Sequence, residues 1–345
     1  MDAHAVEGRT EQLVELLRSR QRLLVLTHTN PDPDSIGSAM GLRHLAEERL
    51  GMASAFGLVG RVMRAENKAM VDSLGIDIKP LADLDLDAFD CIALVDTQPG
   101  FGHTSLPEGR VIDIVLDHHV PPENGAATAA AFEDVRTEVG ATSSIVTSYL
   151  MALGSEISPP VATALFYGIR TDTADLSRNA SPLDETAYEY LMPKIDRHAL
   201  GQITTPDLPL RYYKALRDAL NNIRIFDSVV LCSLGKISGP EMVAEVADLL
   251  VRLEGKQAVF CGGTVDQTYY VSVRSELDGR SAWHLLRDAL DGEGTFGGHG
   301  AIAGGSVTLH DNTTRTVKRL ERRLERNVLR TMGIEGTTVG SLAER

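Results

Sequence analysis

Asp117, His118 and His119 stand in a row directly after the apolar run Ile114-Val115-Leu116. Such a run reads as a buried strand, which delivers the three polar side chains to the rim of a sheet. In open α/β sheets that rim is where ligands bind. One histidine at a strand end is ordinarily a solvated surface residue, and an Asp-His-His sequence by itself is also compatible with a plain turn. The same arrangement recurs, however. Leu23 to Thr27 runs into His28, with Asp32 and Asp34 close behind, and Cys91 to Val95 runs into Asp96. Carboxylates and imidazoles gathered from three strand tips, with few cations beside them, define a candidate metal site. A mixed oxygen and nitrogen donor set suits manganese, iron, zinc or cobalt better than calcium.

Two further stretches carry chemistry. Asp32 and Asp34 flank Pro33 just ahead of a helical pattern, where capping of the helix N-terminus is the plainer account. The expected closeness of His28 and Asp96 argues that they do more than cap. Asp172, between Thr171 and Thr173, ends an apolar helix, where a negative charge is unfavourable unless something positive compensates. A bound cation would do so. In the second half, the stretch 294–305 is rich in glycine around His299. Backbone N–H groups of Gly297 and Gly298 are expected to approach an anion there, with Arg274 from a nearby strand completing a phosphate clamp.

The elements that must position these residues alternate between strand and helix, the pattern of an α/β fold with a mainly parallel sheet and helices on both faces. A helical connection then leads into a second, smaller α/β region. The expected division is a first domain at 1–195, a linker at 196–222 and a second domain at 223–345, with a cleft between the domains. A chain of 345 residues has room for two cores. Cys91, Cys232 and Cys261 lie in apolar runs and read as small core residues rather than a disulfide framework. No apolar run is long enough to span a membrane, and the first residues lack a signal-peptide pattern, so a cytoplasmic location is expected. The formal net charge of −14 disfavours duplex DNA as a partner but is compatible with a small phosphorylated ligand.

These motifs, in their order, resemble the DHH phosphoesterase superfamily. The resemblance rests on His28-x-Asn30-Pro31-Asp32-x-Asp34-Ser35-x-Gly37-Ser38, on Val95-Asp96-Thr97, on Asp117-His118-His119 and on Gly168-Ile169-x-Thr171-Asp172-Thr173. It extends to the glycine-histidine stretch Gly297 to Gly305 of a DHH-associated C-terminal domain. The chain is most similar to the branch of nanoRNases, pAp phosphatases and cyclic-dinucleotide phosphodiesterases. The resemblance implies two divalent ions, usually Mn²⁺. His28, Asp32 and Asp96 would hold one, and Asp34, Asp96, His118 and Asp172 the other, with Asp96 bridging. It implies that Asp117 orients an imidazole, that His119 lies near the scissile phosphate, and that Arg274, Gly297, Gly298 and His299 grip the substrate. The expected substrates are short single-stranded RNA or linear and cyclic dinucleotides, and a homodimer is a compatible assembly.

Some positions depart from the family pattern. Pro33 and Phe296 stand where glycine is common. Ala174, Asp175 and Leu176 replace a glycine followed by an aromatic. Gln98, Phe101 and His103 occupy the region after Asp96 where relatives often place an arginine. An inorganic pyrophosphatase of the same superfamily is the alternative enzyme, although its Lys- and Arg-rich C-terminal motif is missing. A RecJ-like processive exonuclease fits the acidic charge poorly. A nucleotide sensor without turnover would be marked by a lost ligand, and the expected ligands are all present.

Overall fold

The computed structural model describes residues 3–101, 104, 106–107, 109–121, 129–277 and 281–334, the side chains of 3–5 and 299 excepted. The chain divides into two compact units, Met1–Asp207 and Leu208–Arg345.

The first unit holds six parallel strands: β1 (Arg22–Leu26), β2 (Ala53–Leu58), β3 (Ile78–Pro80), β4 (Cys91–Val95), β5 (Ile114–Asp117) and β6 (Phe132–Val135). Their spatial order is β3-β2-β1-β4-β5-β6, so the order reverses between β1 and β4. Strand β4 is buried at every position, as expected of a strand covered on both faces. The helices are α1 (Ala3–Arg18), α2 (Pro33–His44), α3 (Ala65–Leu74), α4 (Thr142–Ala152), α5 (Pro159–Asp172), α6 (Pro182–Leu191) and α7 (Arg197–Thr204). Leu13, Leu17, Ile36, Leu42, Met70, Ile145 and Leu165 from these helices share one core with Leu23, Val25 and Ala93 of the sheet. The opposite face buries Leu24, Leu26, Ile92, Leu94 and Val115 beneath two short 3₁₀ turns, Leu81–Asp83 and Leu86–Ala88.

Helix α2 is the central helix of this unit. Pro33 opens it at a position where a missing N–H costs nothing, and Asp32 caps it by accepting the Ser35 amide. Only Met40 and Arg43 of the helix are partly exposed. The helical pattern expected after Asp34 is present, and it continues through Leu45–Arg49, which winds as a π-helix. Helix α2 packs close to α4 and α5 because glycines face those helices. A Cβ on Gly37 would lie 2.6 Å from the Ala164 carbonyl oxygen.

The second unit contains α8 (Leu210–Asn221), β7 (Ile223–Phe226), β8 (Val229–Lys236), α9 (Glu241–Leu250), β9 (Ala258–Val265), β10 (Thr268–Ser275), α10 (Ala282–Leu290), β11 (Thr295–His299), β12 (Ile302–Thr308) and α11 (Thr314–Met332). The sheet runs β11-β12-β10-β9-β8-β7, with only the β8/β9 pair parallel. Alternate residues of β8 and β9 enter two cores. Leu231 and Phe260 meet α10 and α11, whereas Cys232 and Cys261 meet α8 and α9. All three cysteines are buried free thiols.

The expected linker is shared between the units. Ile203 of α7 joins the first core and Ala219 of α8 the second, so the division falls at Asp207/Leu208. The glycine-rich stretch is a β-hairpin rather than a loop. Gly297 pairs with Gly304 and Gly298 with Ala303. Along such an outer strand the amides alternate between the ladder and the open edge, so they do not converge as they would in an anion-binding loop.

Candidate metal centre

The carboxyl ends of β1, β4 and β5 lie side by side at the reversal of strand order, and each ends in a polar group. His28 follows β1, Asp96 follows β4, and Asp117, His118 and His119 end β5. The N-terminus of α2 adds Asp32 and Asp34, and the last residue of α5 adds Asp172. Three sets of side chains offer ligand atoms within 4.8 Å of one another: His28, Asp32 and Asp96; Asp34, His118 and Asp172; and Asp96, His118 and His119. Asp96 and His118 each belong to two sets, so the sets overlap.

The Asp96 side chain is 1% exposed. Its backbone adopts the left-handed region, φ 57°, which aspartate tolerates better than most residues. Its carboxylate accepts bonds from Ser35 Oγ at 2.6 Å and Thr142 Oγ1 at 3.1 Å. Asp34 accepts the backbone amides of Thr142 at 2.7 Å and Ser143 at 2.8 Å, so it also closes the N-terminus of α4. The capping role weighed for this pair of acids is therefore real for both, on two different helices.

His118 points Nδ1 at the Val139 carbonyl, 3.2 Å away. A proton on Nδ1 leaves the Nε2 lone pair facing the acids. Nε2 is buried without a hydrogen-bond partner and lies 3.3 Å from Asp172, 3.6 Å from Asp96 and 4.0 Å from Asp34. Asp117 is fully buried. It accepts the His118 amide at 2.8 Å, Gln98 Nε2 at 2.7 Å and His119 Nδ1 at 2.8 Å. Gln98 also donates to the His119 carbonyl at 2.9 Å, and the Phe101 ring meets His119 edge-on. The departures at Gln98 and Phe101 thus support the histidine pair. His103 lies outside the described residues.

The electrostatics describe a centre short of positive charge. Burial, then Asp172, pushes the Asp34 carboxyl up to about 7. Burial and the neighbouring acids Asp34, Asp32 and Asp172 drive Asp96 well above the carboxylate range. Burial lowers the basicity of His28, as suits an imidazole that ligates while neutral. Burial works against a charge on His118, but Asp172 and Asp34 outweigh it and lift the ring to about 10. Asp117 remains below its usual value despite burial because His119 and Gln98 bond it. A buried polar atom without a partner demands an explanation. His118 Nε2, facing acids that are costly to ionise together, fits divalent ions that would take the place of its proton among oxygen and imidazole donors.

The turn after Asp172 is unusual. Ala174, Asp175 and Leu176 all take left-handed backbone, φ 48°, 56° and 63°. The glycine that relatives carry after Asp172-Thr173 would adopt this conformation without strain. Here Leu176 donates its amide to Thr173 Oγ1, and Asp175 is held by Arg170 and Tyr188. Arg178 donates to the Asp172 carbonyl at 3.0 Å, supplying positive charge at the C-terminus of α5. The residues that sequence reasoning missed are Ser35, Thr142, Ser143 and Arg178. Ser35 lay in a quoted motif, whereas nothing local distinguished the others.

The expected substrate residues of the second unit are placed differently. Arg274 is 6% exposed. Its guanidinium bonds Asp248 at 2.5 Å, Ser272 Oγ at 2.8 Å and the Val273 carbonyl at 3.0 Å. Gly297 and Gly298 belong to the β11 ladder, and the His299 side chain lies outside the described residues.

Residues 22–169 match the DHH family, N-terminal domain, and residues 227–326 match the DHHA1 domain. The chain belongs to the DHH superfamily of phosphoesterases. It is 39% identical over 289 residues to the uncharacterized protein MJ1633 of Methanocaldococcus jannaschii, covering 83% of this chain and 58% of that protein. It is 24% identical over 307 residues to the cyclic-di-AMP phosphodiesterase GdpP of Bacillus subtilis, covering 82% of this chain and 45% of GdpP. The chain thus spans less than two thirds of the length of either relative. Among solved structures it is similar to an exopolyphosphatase-related protein from Bacteroides fragilis, with a TM-score of 0.74 at 17% identity, covering 92% of this chain and 96% of that one. It is also similar to RecJ in complex with Mn²⁺ from Thermus thermophilus, with a TM-score of 0.55 at 15% identity, covering 94% and 55%. At these identities the likeness is one of fold.

Proposed function

We propose that this chain is a cytoplasmic, Mn²⁺-dependent phosphodiesterase that hydrolyses short oligonucleotides or linear and cyclic dinucleotides to nucleoside monophosphates, with removal of the 3′-phosphate of pAp as a close variant. The observation that carries this reading is the sharing of Asp96 and His118 between overlapping ligand sets, which supports a pair of closely spaced ions. His28, Asp32 and Asp96 would hold one ion, and Asp34, Asp96, His118 and Asp172 the other. Ions bound there would supply Lewis acidity at the phosphoryl group and make a nearby water more acidic.

The protein's own groups prepare that site. Val139 keeps the Nδ1 proton on His118, so that Nε2 faces the acids. Asp117 accepts from His119 Nδ1, which sets the orientation of the His119 ring. Gln98 holds Asp117 and the His119 backbone together, which fixes the ring against rotation. The relative GdpP, a cyclic-di-AMP phosphodiesterase, supports the substrate class.

The test is product analysis after incubation with Mn²⁺ and, separately, a short RNA, cyclic di-AMP, pAp and pyrophosphate. Metal-dependent release of nucleoside monophosphates supports the reading. Turnover of pyrophosphate alone overturns it in favour of the pyrophosphatase alternative. Tight nucleotide binding without turnover, with metal bound, would instead identify a sensor.

A further inference from the structure

Helix α11 does not close completely on the second sheet. Between them lies a recess of about 380 Å³, solvent at its mouth included, walled by Leu231, Phe260, Val271, Leu324 and Val328. Protein interiors are ordinarily packed with few gaps wider than a water molecule, so a recess of this size needs a reason. Its volume falls at the small end of the range for ligand pockets.

Tyr269 lines the recess from β10. The residue is 3% exposed, and among the described residues its hydroxyl has no hydrogen-bond partner. A buried tyrosine ordinarily finds one. Gly262 on β9 makes room for the phenol, because a Cβ there would collide with its Oη. Burial, then Glu321, pushes this hydroxyl well above its ordinary value, so it is neutral. Glu321 lines the same recess from α11. Its Oε1 accepts Ser233 Oγ at 2.5 Å, and its Oε2 has no hydrogen bond among the described residues. The more exposed Arg224 and Glu325 pair with each other at 2.5 Å. One guanidinium against two carboxylates leaves the lining with a single net negative charge, that of Glu321.

We propose that this recess binds a small primary ammonium compound with a short alkyl body. An ammonium head carries three N–H donors and no acceptor. The recess offers it three acceptors: Glu321 Oε2, Tyr269 Oη and the lone pairs of Ser233 Oγ, whose proton already goes to Glu321. The positive head cancels the one charge left over, and the alkyl body meets Phe260 and Leu324. An anion is opposed by Glu321, and Arg224 is already taken by Glu325. A metal ion is short of ligands there, since among the described residues the side-chain sets able to hold one all lie in the first unit. The proposal does not depend on turnover at the metal centre, because binding is measured without metal or nucleotide.

The experiment is methyl NMR of the full chain in EDTA, titrated at constant ionic strength with isobutylammonium chloride and, separately, with isobutanol and sodium isobutyrate. The methyl signals of Leu231, Leu324 and Val328 should shift saturably with the ammonium compound, with a dissociation constant roughly in the millimolar range expected of so small a ligand. Isobutanol, which has the same body without the charge, should bind about tenfold more weakly, and isobutyrate should not bind. Glu321→Gln should weaken ammonium binding about tenfold, the effect of losing a charged hydrogen-bond partner. Tyr269→Phe keeps the ring and breaks no bond within the protein, and should weaken it about three- to tenfold. Glu293→Gln, which removes an acid of the same unit outside the recess, should change nothing. Absence of a saturable shift up to about 50 mM ammonium compound overturns the proposal and leaves the recess to water alone. So does isobutanol binding as tightly as its ammonium counterpart, or binding undiminished in both Glu321→Gln and Tyr269→Phe.

Discussion

Asp96 shows how the candidate site sets function against stability. It is buried among Asp34, Asp32, Asp172 and Asp117, so its charge is costly unless cations are bound. Asp96→Asn keeps a side chain that tolerates left-handed backbone. In EDTA we expect this variant to melt about 2–4 °C higher for each kcal/mol of repulsion removed. With Mn²⁺ it should show neither a rise in melting temperature nor phosphodiesterase activity. A wild-type metal response in calorimetry would refute the bridging role.

The same groups set a dependence on pH. Without metal, Asp34 titrates near 7 and Asp96 above the carboxylate range, so the fold binds protons that the unfolded chain has already released. The stability that Asp34 and Asp96 contribute to the metal-free protein should therefore fall as pH rises from about 4 through 7, outweighing the opposite effect of His28, which burial lowers. His118, lifted to about 10, acts in the same direction, because its contribution is complete below its unfolded value and is lost on the way up to 10. Metal must displace these protons, so its affinity should rise with pH. Melting curves between pH 5 and 8 should shift in opposite directions in EDTA and in Mn²⁺. Parallel shifts would mean that the cluster is not what titrates.

At the scale of elements, the site depends on how closely three helices approach. A Cβ on Gly168 of α5 would lie 2.5 Å from Ser143 Oγ and 3.0 Å from Asp34 Cα, so it would press against α2 and α4 at once. Gly168→Ala should cost about 1–3 kcal/mol by overpacking and weaken metal binding with it. Gly201 in α7 has nothing within 4 Å of a Cβ, and Gly201→Ala should be neutral or stabilise by about 0.5–1 kcal/mol. Denaturant titrations of the two variants separate a specific close approach from a general effect of adding a methyl group. The elements hardest to anticipate were β3 and β6. Strand β3 is only three residues long and ends in Pro80, and β6 buries Asp134 by pairing it with Arg136 and Tyr149. Charged or very short strands lack the apolar alternation that betrays a strand in sequence.

At the scale of the whole molecule, the candidate metal residues all belong to Met1–Asp207. Each unit has its own sheet, with hydrophobic cores on both faces of it. Hydrogen exchange should therefore show Mn²⁺ protecting the amides around residues 28–35, 96–98, 117–119 and 140–144. Strands β8 to β10 should be unchanged within error. Equal protection in both units would contradict a metal centre built from the first unit alone.

The kinds of chemistry available were legible in the order of residues. An apolar strand that stops at Asp, His or Asp-His-His must present that side chain at a sheet rim, because strand periodicity and burial leave it nowhere else. The helical pattern likewise marked Asp32 and Asp34 at the start of α2. What folding alone decided is which atoms meet. Asp34 finds the Thr142 amide 108 residues away, and Arg274 is tied to Asp248 rather than left open. The glycine stretch became a paired strand, and His118 was left with one buried nitrogen facing three acids. Such contacts arise from packing between distant segments, and no local pattern encodes them.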